Sequence, residues 1–308
     1  MRFLTTVLFC ITTILFAEPC LSQISDKDLS WLEEQEIDLL NPNSIDIESV
    51  FKKTRKIARY EQPSLVASRP EHIAKNVHRN ILAIDRTRTL QDIPGFYINA
   101  NDVDTPEQSY VVAQCPTLST LTDFWDTIIH KEVRTVVTLL TSKDCGKRHC
   151  PYWKSAFLPI TVSGWTIEKD PVKEVLAQSH RIPNQQIVKY VFWLKKEGVC
   201  RKLSLFHYEN WPDFGAPEPE LFLELLEIID ISHPEKDSPI LVHCAAGIGR
   251  SGTFVAAHSL RKEVKKGATR INIPKRIVEL RSQRSKLVST TRQCEALYKA
   301  LYASVKGR

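Results

Sequence analysis

At 308 residues, 43% of them hydrophobic, the chain can bury a sizeable core, which excludes a disordered or fibrous polypeptide. Its net charge of +6 is unevenly placed: residues 23–50 are strongly acidic with Lys27 the lone base, whereas residues 261–308 hold fourteen Lys or Arg against Glu263, Glu279 and Glu295. Most of those charges read as solvated helix faces, so nucleic acid is not an expected partner.

Arg2 followed by the apolar run from Phe3 to Ala17 predicts a signal peptide over residues 1–22, hence a secreted mature chain beginning at Gln23. The run is short for a membrane span, so stable membrane insertion is not expected; an uncleaved signal anchor is the alternative. Residues 26–60 carry a helical pattern with Trp31, Leu39, Ile47 and Val50 available for docking, an N-terminal helical cap on one domain over residues 23–308. Strands are predicted at 110–113, 133–140, 187–194, 203–208 and 240–242. Helices interleave with them: one after Thr120, one opened by Pro219, then 251–265 and 290–302. That alternation implies an α/β sheet covered on both faces.

Six cysteines follow residue 22, at spacings that make no disulfide framework, and Cys145, His149 and Cys150 lack the spacing of a zinc site. In a secreted protein whose Cys244 stays a free thiol, five cysteines remain, so at least one more is unpaired.

The segment from Pro239 to Thr253 reads as an apolar strand, a glycine-bearing turn and the start of a helix. Backbone N–H groups of Ala245, Ala246, Gly247, Ile248 and Gly249 can converge on a phosphate there, aided by the helix N-terminus. The same field favours the thiolate of Cys244, the nucleophilic form. Arg250 can reach back over the loop and hold two phosphate oxygens, and Ser251 can hydrogen-bond the sulfur as it leaves. His243 either orients the loop or is a satisfied core histidine. A leaving oxygen needs a proton, and Asp213 in Trp211-Pro-Asp-Phe-Gly-Ala-Pro217 stands on a restricted turn suited to deliver one, with Phe214 beside it. An ordinary Pro-Asp turn is the alternative.

With Lys75-Asn76, Asp85 to Arg88, Tyr97 to Asn101, Asp123 to Trp125, Trp211 to Asp213 and His243 to Gly252 in this order, the chain resembles the cysteine-based protein tyrosine phosphatases with a single catalytic domain. The resemblance covers about residues 45 to 305. It implies a strongly twisted mixed sheet flanked by helices, no metal or cofactor, a phosphotyrosine-containing protein or peptide as partner, and hydrolysis through a phosphocysteine.

Three positions depart from the pattern. His78 stands where the family has a tyrosine that stacks on the substrate ring, so imidazole stacking is expected with a flatter preference for phosphotyrosine. Ser289 stands where a glutamine positions the hydrolytic water, while Gln293 matches the second glutamine and also completes a Thr-x-x-Gln capping pattern with Thr290. Asp144 replaces a glutamate beside Arg250, a shorter carboxylate expected to pair less well. Ser289 and His78 also leave room for a second reading, a module that traps phosphotyrosine and turns over slowly, and His78 for a third, a phosphatase of broader specificity.

Overall fold

The computed structural model describes residues 23–59, 62–146, 148–233 and 238–306; the expected signal peptide, 1–22, lies outside them. The N-terminal part holds α1 (Asp26–Glu33), strand β1 (Ile37–Asp38), α2 (Ile47–Ile57) and the short α3 (Pro70–Ile73). The helical pattern expected over 26–60 is carried by α1 and α2, with β1 between them. Between the helices Asp38 closes a local turn, its carboxylate accepting the N–H groups of Leu40 at 2.9 Å and Asn41 at 3.4 Å, and Pro42 follows. Asp46 restarts the helical pattern by accepting from Ser49 N–H.

There follow β2 (Ala100–Asp104), β3 (Ser109–Gln114), α4 (Leu121–His130), β4 (Thr135–Thr138), β5 (Ile160–Val162), β6 (Trp165–Gln178), β7 (Gln186–Lys196) and β8 (Val199–Glu209). The chain closes with α5 (Pro219–Ser232), β9 (Ile240–Cys244), α6 (Gly249–Lys265), β10 (Arg270–Ile271), α7 (Ile273–Gln283) and α8 (Thr291–Lys306). Eight strands form one mixed sheet in the order β2-β3-β9-β4-β8-β7-β6-β5, and β1 pairs separately with β10. The central strands β3, β9, β4 and β8 run parallel; both flanks are antiparallel.

Side chains alternate across the parallel centre, so each strand feeds two cores. Val112, Val137 and Val242 pack with Phe254, Leu260 and Leu297 on one face. Val111, Val136 and Leu241 pack with Phe124, Trp125 and Ile128 on the other. The expected twisted mixed sheet with helices on both faces is the observed architecture. Strand β9, inside the parallel centre, ends at Cys244, and the chain turns there into α6, which places the glycine-bearing turn at the carboxyl edge of the parallel centre. Among the described residues no helix is long and apolar enough to cross a membrane.

Candidate active site

Cys244 sits buried at the end of β9, followed by a four-residue turn into α6. Every carbonyl along this turn is held from outside. Cys115 N–H donates to the carbonyls of Cys244 at 3.0 Å and Ala245 at 3.1 Å, and Val288 N–H to that of Ile248 at 3.2 Å. Arg284 takes the two between, donating from Nη2 to Ala246 at 3.1 Å and from Nε to Gly247 at 2.8 Å. With the carbonyls turned out, the peptide N–H groups of this stretch face the other way. No side chain caps α6, leaving its first-turn N–H groups open to an anion.

Two glycines are needed for different reasons. Gly247 has φ +70°, and a Cβ there would stand 2.1 Å from the Ala113 carbonyl oxygen on the neighbouring strand. Gly249 is required for space rather than for its backbone angle, because a Cβ would lie 2.9 Å from Gln293 Nε2 and 3.3 Å from Ser289 Oγ.

Arg250 is fully buried and aimed over the turn. Its Nη1 donates to Asp144 Oδ2 at 2.6 Å and to the Trp211 carbonyl at 3.1 Å. Its Nη2 lies 3.3 Å from Asp213 Oδ1 without hydrogen-bond geometry, so Nε and Nη2 have no acceptor. Two N–H groups along one guanidinium edge, dry and unpartnered, form a fork for an oxyanion. Burial alone would lower the Arg250 pKa, but Cys244 and the Asp144 carboxylate outweigh it and hold the group above its ordinary value. Burial pushes Asp144 upward, and the bond from Arg250 holds its pKa below the usual carboxylate value. The shorter carboxylate bonds Arg250 through Oδ2 alone, and Thr141 donates to the same oxygen from N–H at 2.7 Å and Oγ1 at 3.0 Å.

The family model described as protein-tyrosine phosphatase matches residues 72–303. The chain belongs to the protein-tyrosine phosphatase family. It is 33% identical over 231 residues to tyrosine-protein phosphatase 2 of Dictyostelium discoideum, covering 70% of this chain and 56% of that protein. It is 30% identical over 261 residues to tyrosine-protein phosphatase non-receptor type 2 of Rattus norvegicus, covering 80% and 60%. Tyrosine-protein phosphatase 99A of Drosophila melanogaster is 30% identical over 247 residues, covering 77% of this chain and 19% of its own length. The chain thus spans less than two thirds of these relatives.

Around this tyrosine phosphatase cradle the structure gathers the other expected residues. Trp211 is fully buried against Tyr208 and Phe222, and its indole N–H donates to the Gly215 carbonyl at 3.0 Å, which closes the 211–215 turn on itself. Asp213 stands half-exposed at the tip, and Phe214, 66% exposed with φ +57°, is tied by its carbonyl to Thr290 Oγ1 at 3.1 Å. Ser251 is buried with its hydroxyl unpartnered. His243 is fully buried, sharing a 2.8 Å hydrogen bond with Tyr152 Oη and packing edge-on to Phe124; burial pushes its pKa down to about 3, so it is neutral at physiological pH.

Gln293 does what its capping pattern predicts: Thr290 N–H donates to its Oε1 at 3.3 Å while its own N–H donates to Thr290 Oγ1 at 3.2 Å. Its Nε2 is buried without an acceptor, on the side facing Gly249. His78 leans toward His149, ring centroids 6.4 Å apart, on a loop pinned by Gln114, which donates to the Lys75 carbonyl at 2.7 Å and accepts from Val77 N–H at 3.1 Å.

Arg284 was not anticipated as a site residue. Its outer edge is fixed by Asn99 Oδ1 at 3.0 Å and Asn101 Oδ1 at 2.8 Å, and burial lowers its pKa to about 10, still a cation at neutral pH. The signal was present in Tyr97-Ile-Asn-Ala-Asn101, but nothing local connects those asparagines to an arginine far down the chain.

Proposed function

We propose that this chain hydrolyses phosphotyrosine in proteins or peptides through a phosphocysteine on Cys244. The observation that carries the reading is the unpartnered Nε–Nη2 edge of the buried Arg250 above a turn whose carbonyls all face outward. In the first step the Cys244 thiolate attacks phosphorus while Asp213 gives its proton to the departing phenolic oxygen. Arg250 and the turn N–H groups stabilise the equatorial oxygens of the transferring group. In the second step Asp213 takes a proton from water as it attacks the phosphocysteine, and the sulfur leaves as thiolate. The free hydroxyl of Ser251 is available to that sulfur, and Gln293 Nε2 to the water or the phosphate. His243, neutral and bonded to Tyr152, positions the strand end and exchanges no proton.

Replacing Cys244 by Ser tests this directly. Turnover of an aryl phosphate should fall by more than about a thousandfold while inorganic phosphate still binds, because the cradle and Arg250 are untouched. Turnover surviving above that level would remove Cys244 from the role. We also propose that segment 1–22 directs export, since Arg2 and the apolar run after it have the make-up of a secretory signal.

A further inference from the structure

The described chain has six free thiols, and three of them lie to one side of Cys244. Cys115 follows β3, with its N–H on the Cys244 carbonyl and its thiol 3.8 Å from the Cys150 carbonyl oxygen. Cys145 is next to Asp144, and Cys150 comes five residues later. Between them the chain reverses: Gly146 N–H donates to the His149 carbonyl at 3.3 Å. The bond stands immediately inside Cys145 and Cys150 and draws them together, close enough for Cys145 to raise the pKa of Cys150. A disulfide bridges Cα atoms about 4.4–6.8 Å apart, the range of residues that flank a backbone hydrogen bond between two chain segments. Cys150 N–H is anchored to the Pro116 carbonyl at 2.8 Å, which holds one side of the reversal against the body of the protein.

We propose that Cys145 and Cys150 close a disulfide under oxidising conditions, a modification site in the loop that carries Asp144 and distinct from Cys244. Cys145 is the more exposed of the two and meets the oxidant first. Its thiolate attacks the sulfur–sulfur bond of glutathione disulfide, forming a mixed disulfide and releasing one glutathione thiolate. The Cys150 thiolate then attacks the Cys145 sulfur and displaces the second. The two protons from the cysteines pass to the two departing thiolates, so the pair loses two electrons and glutathione disulfide gains them. Cys115 is left out because its thiol is fully buried and turned toward the carbonyls of Pro116 and Cys150.

Closure would fix the loop from which Asp144 holds Arg250, without consuming the nucleophile. Burial pushes both thiols up, Cys150 to about 11 with the neighbouring Cys145 adding to it. Closure is therefore slow at neutral pH and accelerates about tenfold per pH unit as thiolate becomes available.

The experiment incubates the full chain with glutathione disulfide at pH 7.5 and 8.5, blocks residual thiols with iodoacetamide and digests with trypsin. Cleavage after Lys147 and Arg148 releases Cys145 and Cys150 in separate peptides that only a disulfide can join. The expected result is a Cys145–Cys150 linked pair that forms about ten times faster at pH 8.5, vanishes on reduction and is missing from Cys145→Ser. Linkage of either residue to Cys115 or Cys244, glutathione retained on Cys145, or both peptides recovered in alkylated form would overturn the proposal. Peptide mapping needs no turnover, so its outcome is independent of the hydrolysis reading.

Discussion

Arg284→Met tests whether the phosphate cradle is oriented from behind. The substitution keeps much of the side-chain volume but removes both donors to the carbonyls of Ala246 and Gly247, along with those to Asn99 and Asn101. Charge-assisted bonds of this kind contribute about 1.5–3 kcal/mol each, and the two asparagine oxygens left unpaired add to the loss. Removing one partner of a buried network costs about 3–5 kcal/mol, so urea unfolding should register a destabilisation of that order. The effect on ligand binding is separable. Freed carbonyls let their peptide planes rotate, and losing one well-aimed N–H donor to an anion weakens affinity for inorganic phosphate by about tenfold to a hundredfold. Isothermal titration at low temperature, where the variant stays folded, measures this. Asn101→Ala is the comparator: it removes the 2.8 Å bond on the far edge of Arg284 but leaves both bonds to the turn, so stability should drop while phosphate affinity changes by less than about threefold. If folded Arg284→Met binds phosphate as the parent does, the turn orients itself and Arg284 is merely structural.

Four further outcomes are expected. Asp213→Ala should lower kcat by roughly 10² to 10⁴ and abolish the decline in rate at higher pH that a required protonated carboxyl imposes; a pH–rate profile unchanged from the parent would return Asp213 to an ordinary turn. Ser289 cannot reach the hydrolytic water as a glutamine amide would, so rapid mixing should reveal a burst of phenol from accumulating phosphocysteine, and Ser289→Gln should shrink the burst and raise kcat; no burst and no gain would make Ser289 a neutral replacement. His243 has its pKa depressed from 6.5 to about 3, so the unfolded chain binds a proton the folded one does not, and stability present above pH 6.5 is lost as pH falls toward 3, by roughly 4–5 kcal/mol; urea midpoints across this window should show a slope that His243→Phe flattens. Mass spectrometry of expressed protein should find a mature N-terminus near Gln23 in the medium, and full-length chain confined to membranes would favour the uncleaved anchor instead.

The nucleophile turn and the acid loop could be read from sequence because each is written in consecutive residues: strand, Gly247, Gly249, Arg250 and helix in one case, Trp211 to Gly215 in the other. All five predicted strands lie on observed ones, β3, β4, β7, β8 and β9: the parallel centre is buried on both faces and reads as apolar runs, while β7 alternates. The polar β6 escaped because it is largely exposed and shows no alternation to detect. β2 reads as Ala-Asn-Asp-Val-Asp, a turn-like composition whose Asn101 faces inward to Arg284. α7 was missed because Arg276 and Arg281 occupy buried positions where its pattern would need apolar residues, satisfied by Glu263 for the first and by the nearby carbonyls of Leu287 and Val288 for the second. At β2 expectation failed because Asn101 is satisfied by Arg284 across a long stretch of sequence; elsewhere it failed on exposure or on buried polar side chains with nearer partners.

That long-range satisfaction has a consequence for how the protein is made. The bonds from Arg284 to Asn99 and Asn101 join residues 185 and 183 positions apart, and those to the turn span 38 and 37. Contacts of such separation form late, after the loop entropy between them has been overcome. During synthesis the strand bearing Cys244 emerges well before Arg284 does, so for that interval the chain carries its thiol without the scaffold that shapes a phosphate site around it. Chains shortened before residue 284 should fold into much of the sheet yet hold no oxyanion. Competence arrives only once Arg284 and the helices around it, α7 and α8, have emerged, and they serve as its checkpoint.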